Sequence, residues 1–258
     1  METEAINNKE NKVSNAKVPI IEIKNLHKTF GSNKVLQGVN ISVNAGEDLV
    51  ILGRSGSGKS VTIKCLVGLV AADKGQINVF GTDLTKLNNA ELNKIRAKIG
   101  FLFQNGALYD SMSVRQNLAF TLKHHDRNIP SDEVEKQIKE ALESVGLIEA
   151  IDKMPSELSG GMRKRIGLAR ALIIKPEIML YDEPTSGLDT ITSREITELM
   201  LSIQKKRKTT SIIITHDMAS AKLAGNRIMI LKDGKINAEG SYDELEKSSD
   251  QWVRSFFI

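Results

Sequence analysis

Residues 49–62 read Leu49-Val50-Ile51-Leu52-Gly53-Arg54-Ser55-Gly56-Ser57-Gly58-Lys59-Ser60-Val61-Thr62: an apolar run, a glycine-rich turn, then a lysine and a serine. The turn satisfies G-x-x-x-x-G-K-S, and its flanks decide how it is read. A short apolar strand precedes it, and a segment with helical apolar periodicity follows. A flexible glycine/serine linker with a chance lysine would have neither flank. Between a strand and a helix, the glycines let successive backbone N–H groups face one anion, and the helix start adds the positive end of its dipole. Residues 53–62 are therefore the candidate phosphate cradle. Lys59 is expected to reach the β- and γ-phosphates, and the Ser60 hydroxyl is placed for Mg2+.

Further along, Glu177-Ile178-Met179-Leu180-Tyr181-Asp182-Glu183-Pro184 is an apolar strand closing on two carboxylates. Neighbouring strand residues point to opposite faces, so the two acids are expected to play different parts. Asp182 would hold Mg2+, through water or through Ser60. Glu183 would orient and deprotonate an attacking water. An Asp-Glu pair alone means nothing; one that closes an apolar strand downstream of a phosphate cradle points to nucleotide hydrolysis.

Outward from these motifs the chain sorts into elements. Residues 20–30 and 34–43 alternate as half-buried antiparallel strands do. Strands are predicted over 75–81, 98–104 and 211–217, helices over 60–70 and 193–207, and a hairpin over 227–240 with an Asp233-Gly234 turn. Between 105 and 157 the pattern is helical only, with segments 113–125 and 132–147, which predicts an inserted lobe. A last helix is expected from about Tyr242, giving a short C-terminal helix over 246–258. Apolar strands alternating with helices argue a mainly parallel sheet covered on both faces. Residues 1–18 carry almost nothing to bury and read as a disordered polar tail.

The 258 residues are 40% apolar and 26% charged, as in an ordinary globular protein. The longest stretch free of charge, residues 35–46, is far short of the roughly 20 apolar residues of a membrane span. Residues 1–18 have no apolar core of the secretory-signal kind, so none is expected. A lone cysteine, Cys65, forms no internal disulfide and agrees with a reducing compartment. The net charge of +4 is scattered. Its one dense run, Lys205-Lys206-Arg207-Lys208, reads better as a solvated helix C-terminus than as a nucleic-acid site, because no aromatic residue interleaves it.

At Leu158-Ser159-Gly160-Gly161-Met162 the sequence resembles the ATP-binding cassette (ABC) ATPases, and the resemblance extends from Ile20 to Gly240. It implies a P-loop, RecA-like α/β core with an N-terminal antiparallel β-subdomain and an inserted α-helical subdomain, spanning 19–245. In that family LSGGQ opens a helix that contacts the γ-phosphate held by a partner subunit. Here Met162 replaces the glutamine, while the serine hydroxyl and glycine N–H groups are kept. The resemblance carries further roles onto Phe30 (stacking on adenine, unless it is a core residue), Gln104 (sensing Mg2+), Asp189 (dimer contact, in Ser186-Gly187-Leu188-Asp189) and His216 (contacting the γ-phosphate). Glu183, His216 and Lys59 are the implied catalytic residues; Ser60, Gln104 and Asp182 are the implied Mg2+ site. Ser159, Gly160, Gly161 and Asp189 would serve the ATP of a second copy in a head-to-tail dimer.

An ABC ATPase without a spanning segment is expected to drive a separate permease. Residues 101–120 and 157–172 look like the Mla-type lipid-transport ATPases of Gram-negative envelopes. That resemblance implies a permease, an MCE-type lipid-binding protein, a possible small regulatory subunit, and a place on the cytoplasmic face of the inner membrane. Importers of small polar solutes carry broadly similar stretches and remain the alternative. A cassette acting on DNA or ribosomes is disfavoured by the single cassette and the short lobe, and a purely regulatory ATPase by the absence of a further domain.

Overall fold

The computed structural model describes residues 18–257, so the expected polar tail lies outside the described residues but for Val18. β1 (Ile21–Phe30) and β2 (Asn33–Val43) pair antiparallel, and β4 (Lys74–Val79) and the short β5 (Thr82–Asp83) extend them into a four-stranded sheet, ordered β2-β1-β4-β5. β3 (Asp48–Leu52), β6 (Ile99–Leu102), β7 (Ile178–Asp182), β8 (Thr210–Thr215) and β9 (Arg227–Lys232) form parallel ladders, with β10 (Lys235–Gly240) antiparallel at one edge. The order is β10-β9-β3-β8-β7-β6. The strand predicted over 75–81 thus belongs to the antiparallel sheet; periodicity does not say which sheet a strand joins.

β7 and β8 are buried at every position, as strands covered on both faces must be. Alternation sorts their side chains. Val50, Leu52, Tyr181 and Ile213 enter one apolar core; Leu49, Ile51, Leu180 and Ile212 enter the other. The first core is closed by helices and the second by β1, β2 and α1 (Lys59–Leu66). α1 is shorter than expected, because Gly68 turns the chain at φ +66°. α2 (Asn89–Arg96) escaped the periodicity reading but announces itself by its capping box, in which the Asn88 side chain accepts from Glu91 N–H while Glu91 reaches back to Asn88 N–H.

The helical lobe contains α3 (Val114–His125) and α4 (Ser131–Ser144). α4 buries Val134, Ile138, Ala141 and Leu142, a stripe at helical spacing, and carries Asp132 and Glu133 in its first turn. The lobe is not closed off from the core. α5 (Gly160–Leu172) packs against α3 and α4 and also against β6, and its Ile166, Leu168 and Leu172 share one cluster with Leu118 and Leu142.

α6 (Thr190–Arg207) ends in the basic run, and there the helix-end reading holds: Arg207 donates to the last carbonyl of α5, Leu172 O, at 2.8 Å, and Lys208 adopts the left-handed cap at φ +54°. After α7 (Met218–Ala224) and the predicted hairpin, the C-terminal segment departs from expectation. In place of one helix there are two, α8 (Tyr242–Glu246) and α9 (Gln251–Arg254), each started by its own side-chain cap, Ser241 and Asp250. Trp252 then stacks edge-on against Phe256 over the first core. Two caps nine residues apart interrupt a pattern too short for periodicity to resolve.

Gly75, at φ +105°, stands where β1 bulges against β4, and a Cβ there would lie 2.5 Å from Asn25 O and 2.6 Å from Lys24 O. Backbone oxygens cannot swing away. Gly75→Ala is expected to destabilise the protein by about 1–3 kcal/mol, read as a lower urea midpoint at unchanged slope; an unmoved midpoint refutes this account of the bulge.

Candidate functional site

β3 ends at Leu52 and the chain turns through Gly53 to enter α1. Gly58 is the N-cap at φ +106°, and a Cβ there would meet Leu36 Cδ2 at 2.7 Å and Val35 O at 2.9 Å. Only glycine fits both the conformation and the space. No side chain caps α1, so the N–H groups of its first turn point into the cleft without an intrahelical partner. That is an anion-binding geometry.

Lys59 is buried, at 6% exposure, and its ammonium donates to Gly53 O at 2.8 Å and Arg54 O at 3.2 Å. It also stands 3.6 Å from Glu183 Oε1. The neighbouring Ser60 Oγ donates to Asp182 Oδ1 at 2.6 Å, tying α1 to the end of β7. Asp182 and Glu183, consecutive in sequence, thus part company: one faces the serine, the other the lysine. Glu183 leaves the strand in a left-handed conformation, φ +51°, with its N–H held by Ile214 O at 2.9 Å. Its second carboxylate oxygen, Oε2, is 2.6 Å from His216 Nδ1. His216 follows β8 and is exposed on the cleft side.

Lys59, Ser60, Glu183 and His216 line an open cleft of about 580 Å³ together with Phe30, Val35, Arg54, Gly56 and Gln104, while Asp182 is buried behind Ser60. Phe30 is 48% exposed on the rim, which removes the core reading of this residue. Lys28 Nζ lies 5.2 Å from its ring centre. Gly53 and Thr62 sit behind the wall rather than on it, and Ser57 lines an adjacent cleft on the other side of the turn; the Thr62 hydroxyl donates to Gly58 O at 3.0 Å and so braces the turn.

Ser159, Gly160, Gly161 and Asp189 are not brought into this cleft. Ser159 caps α5, accepting from Met162 N–H at 3.2 Å, and Ser159 and Gly160 are exposed. Asp189 caps α6 through Thr192, whose hydroxyl and N–H hold its carboxyl below the usual range. The two turns abut: a Cβ on Gly161 would be 2.9 Å from Thr192 Cγ2. Gln104 lines both the nucleotide-side cleft and a second one beside Gly160, Arg163 and Ser186.

One buried residue of this region was missed in the sequence. Lys164 on α5 is 6% exposed, and its ammonium bonds the carbonyls of Gln104 and Glu183 and the Ser186 hydroxyl. Burial pushes its pKa down, and the Glu183 and Asp182 charges push it up. The available signal was its position: Lys164, Gly167, Leu168 and Ala171 follow i, i+3, i+4, i+7, so the lysine falls on the packed face of its helix.

The donors suit a magnesium–nucleotide. Among the described residues no three His, Cys, Asp or Glu side chains cluster as a metal cage. Mg2+ needs none, since it takes one or two protein oxygens and completes its shell with phosphate and water. Ser60 and Asp182 offer that pair of oxygens beside the anion cradle. A strand–P-loop–helix on a parallel sheet, with an acidic strand end beside it, defines a P-loop nucleoside triphosphatase.

A family profile described as "ABC transporter" matches residues 36–186. The chain is 40% identical over 236 residues to a probable ribonucleotide transport ATP-binding protein, mkl, of Mycobacterium leprae, across 92% of this chain and 68% of that one. It is 38% identical to a methionine import ATP-binding protein, MetN, of Clostridium acetobutylicum, across 88% and 70%. The chloroplastic protein Trigalactosyldiacylglycerol 3 of Arabidopsis thaliana is 36% identical, across 96% and 76%. The chain therefore spans between about two thirds and three quarters of the length of these relatives. Among solved structures, the ATP-binding cassette MJ0796, as a post-hydrolysis dimer with ADP and phosphate, superposes with a TM-score of 0.79 at 32% identity, across 86% of this chain and 98% of that one.

The chain belongs to the ABC transporter ATP-binding family. It is an ATP hydrolase, it takes ATP with Mg2+, and it is the ATPase subunit of a transporter. Cassettes of this family act as dimers with membrane permease subunits; among the described residues no helix is long and apolar enough to cross a membrane.

Replacing Lys59 with alanine removes a charge-assisted hydrogen-bond donor worth about 1.5–3 kcal/mol. The affinity for a fluorescent ATP analogue is expected to fall about tenfold or more. Unchanged binding in the folded variant would remove Lys59 from the phosphate site.

Proposed function

We propose that this chain powers phospholipid transport, and that Glu183 is the general base of its ATP hydrolysis. The observation that carries the chemical part is the run of contacts from Lys59 through the Glu183 carboxylate to His216, at 3.6 and 2.6 Å. One carboxylate oxygen faces the phosphate-side lysine and the other the histidine. A carboxylate so held can accept a proton from a water placed against the γ-phosphate, while His216 fixes its rotamer and touches the phosphate. The N–H groups of the Gly53–Ser60 turn and Lys59 bind the β- and γ-phosphates, Phe30 and Val35 offer the base an apolar rim, and Gln104 reaches the triphosphate from the loop after β6. Ser60 and Asp182 would hold Mg2+, which would supply charge neutralisation at the phosphate oxygens.

Ser159, Gly160, Gly161 and Asp189 face away from their own cleft, as residues that serve the ATP of a second copy would. That placement supports head-to-tail pairing with nucleotide between the copies. ATP then shifts the population toward the closed dimer, and hydrolysis returns it to the open one. Glu183→Gln is expected to lower kcat by about a hundredfold or more while ATP still binds and dimers accumulate in size-exclusion chromatography. Wild-type turnover in that variant would refute the base assignment.

The lipid reading rests on residues 101–120 and 157–172, which look like Mla-type ATPases, and on the Arabidopsis relative named for a glycolipid. The lobe surface supports docking of a permease. Tyr109 and Phe120, 46% and 44% exposed, meet edge-to-face at 5.2 Å, with the Arg170 guanidinium 5.9 Å from the Tyr109 ring centre. An exposed aromatic pair is a natural anchor for a partner helix. The chain would then lie peripherally on the cytoplasmic face of the inner membrane, with an MCE-type lipid-binding protein and a small regulatory subunit completing the complex. The MetN match favours a second reading, an importer of a small polar solute. Affinity purification of the tagged chain from its native membrane in mild detergent separates the two. Co-purifying MCE protein and phospholipid are expected; a solute-binding protein in their place would overturn the lipid reading.

A further inference from the structure

Lys164 lies in α5, five residues after Ser159 and two before Ile166, with its ammonium buried beneath the cleft. An ammonium has three N–H donors and no acceptor. Its partners here are the carbonyl of Gln104, the carbonyl of Glu183 at 3.2 Å and the Ser186 hydroxyl at 3.2 Å. They come from two separate places: the loop after β6, and the single turn from the end of β7 to α6, whose two ends Glu183 and Ser186 are themselves joined by Ser186 N–H to Glu183 O at 3.1 Å. A single side chain from the helix that carries the Ser159–Gly161 turn therefore holds two loops at once.

The contact with Glu183 is to its peptide oxygen, not its carboxylate, which is engaged by His216 and Lys59. Lys164 is thus in no position to trade a proton with the reaction. It can, however, set where the carboxylate stands. Glu183 is a non-glycine residue at φ +51°, a conformation that persists only where the surroundings over-determine it. Its N–H is held from β8 by Ile214 O at 2.9 Å, and its C=O is held within its own turn by Ser186 N–H at 3.1 Å and from α5 by Lys164 at 3.2 Å. Removing Lys164 leaves that oxygen only the Ser186 N–H of its own turn, so the turn and the carboxylate it carries lose their tie to α5. The same ammonium fixes the backbone of Gln104, so both groups that approach the γ-phosphate shift together when α5 moves.

We propose that Lys164 is a positioning residue for ATP hydrolysis, tying the placement of α5 and the lobe to the alignment of Glu183 and Gln104. The proposal rests on the reading of Glu183 as general base. A misplacement of about 1 Å can cost on the order of a hundredfold in rate, so a loose Glu183 should show in kcat before it shows in binding.

The test measures ATPase kinetics, affinity for a fluorescent ATP analogue and melting temperature for Lys164→Met, Lys164→Arg and Glu183→Gln. Expected for Lys164→Met is a kcat about ten- to a hundredfold lower with nucleotide Kd within about threefold, and Lys164→Arg, which keeps the donors, should restore most of the rate. A merely structural lysine would lower Kd-based binding and melting temperature along with kcat, or leave all three alone; either result overturns the proposal. Should Lys164→Met fail to fold, Ser186→Ala removes one of the three acceptors alone, and an unchanged kcat in that variant counts against the clamp. Glu183→Gln keeps the two failures apart. If it loses turnover while Lys164→Met does not, only the positioning role falls. If it retains turnover, the base assignment falls first.

Discussion

The ladder of backbone hydrogen bonds joining β3, β8 and β7 sets the distances in the nucleotide cleft. It pairs Leu52 with Thr215 and Asp182 with Ile214, so the strands end level. The residues that follow each end, Gly53, His216 and Glu183, are then neighbours without any further device. Parallel strands buried on both faces leave only their C-terminal edge open to a ligand, and polar side chains gather there. Glu183 itself hangs from the ladder, since its N–H bonds Ile214 O one step past the last strand residue.

Within that edge the charges are arranged in opposition. Two buried ammonium groups, Lys59 and Lys164, stand against two buried carboxylates, Asp182 and Glu183. Every one has a named partner, as buried charge requires. The cluster carries no net excess of either sign, so the unpaired N–H groups of the turn add to Lys59 in attracting a triphosphate. The second consequence is mechanical: Lys59 rides on α1 and Lys164 on α5, so Glu183 is held by its carboxylate from the cradle and by its peptide oxygen from the helix that reaches into the lobe.

Much of this was legible before any coordinates. The cradle and the acidic strand end are local signals, a strand, a turn and a helix start within a dozen residues, and physics at that range is carried by neighbouring residues alone. The same holds for the Asp233-Gly234 hairpin and for the acidic first turn of α4. Where reading failed, the deciding contact was distant or the element was short. β4 pairs with β1, some fifty residues away, and nothing in its own sequence names that partner. The two C-terminal helices are four and five residues long, below what a period can show, and only their caps at Ser241 and Asp250 mark them. Phe30 could be core or surface by composition, and its position at the end of a strand on an open rim settled it.

By itself, then, the sequence determined the class of chemistry: Gly53, Gly58, Lys59, Ser60, Asp182 and Glu183 stand in local patterns whose geometry follows from backbone rules. Tertiary structure alone decided which residues meet. Ser60 and Asp182 are 122 positions apart and 2.6 Å apart in space, and Lys164 reaches loops that the chain order separates widely. Such meetings depend on strand order and on helix packing, which many residues set jointly and no single stretch encodes.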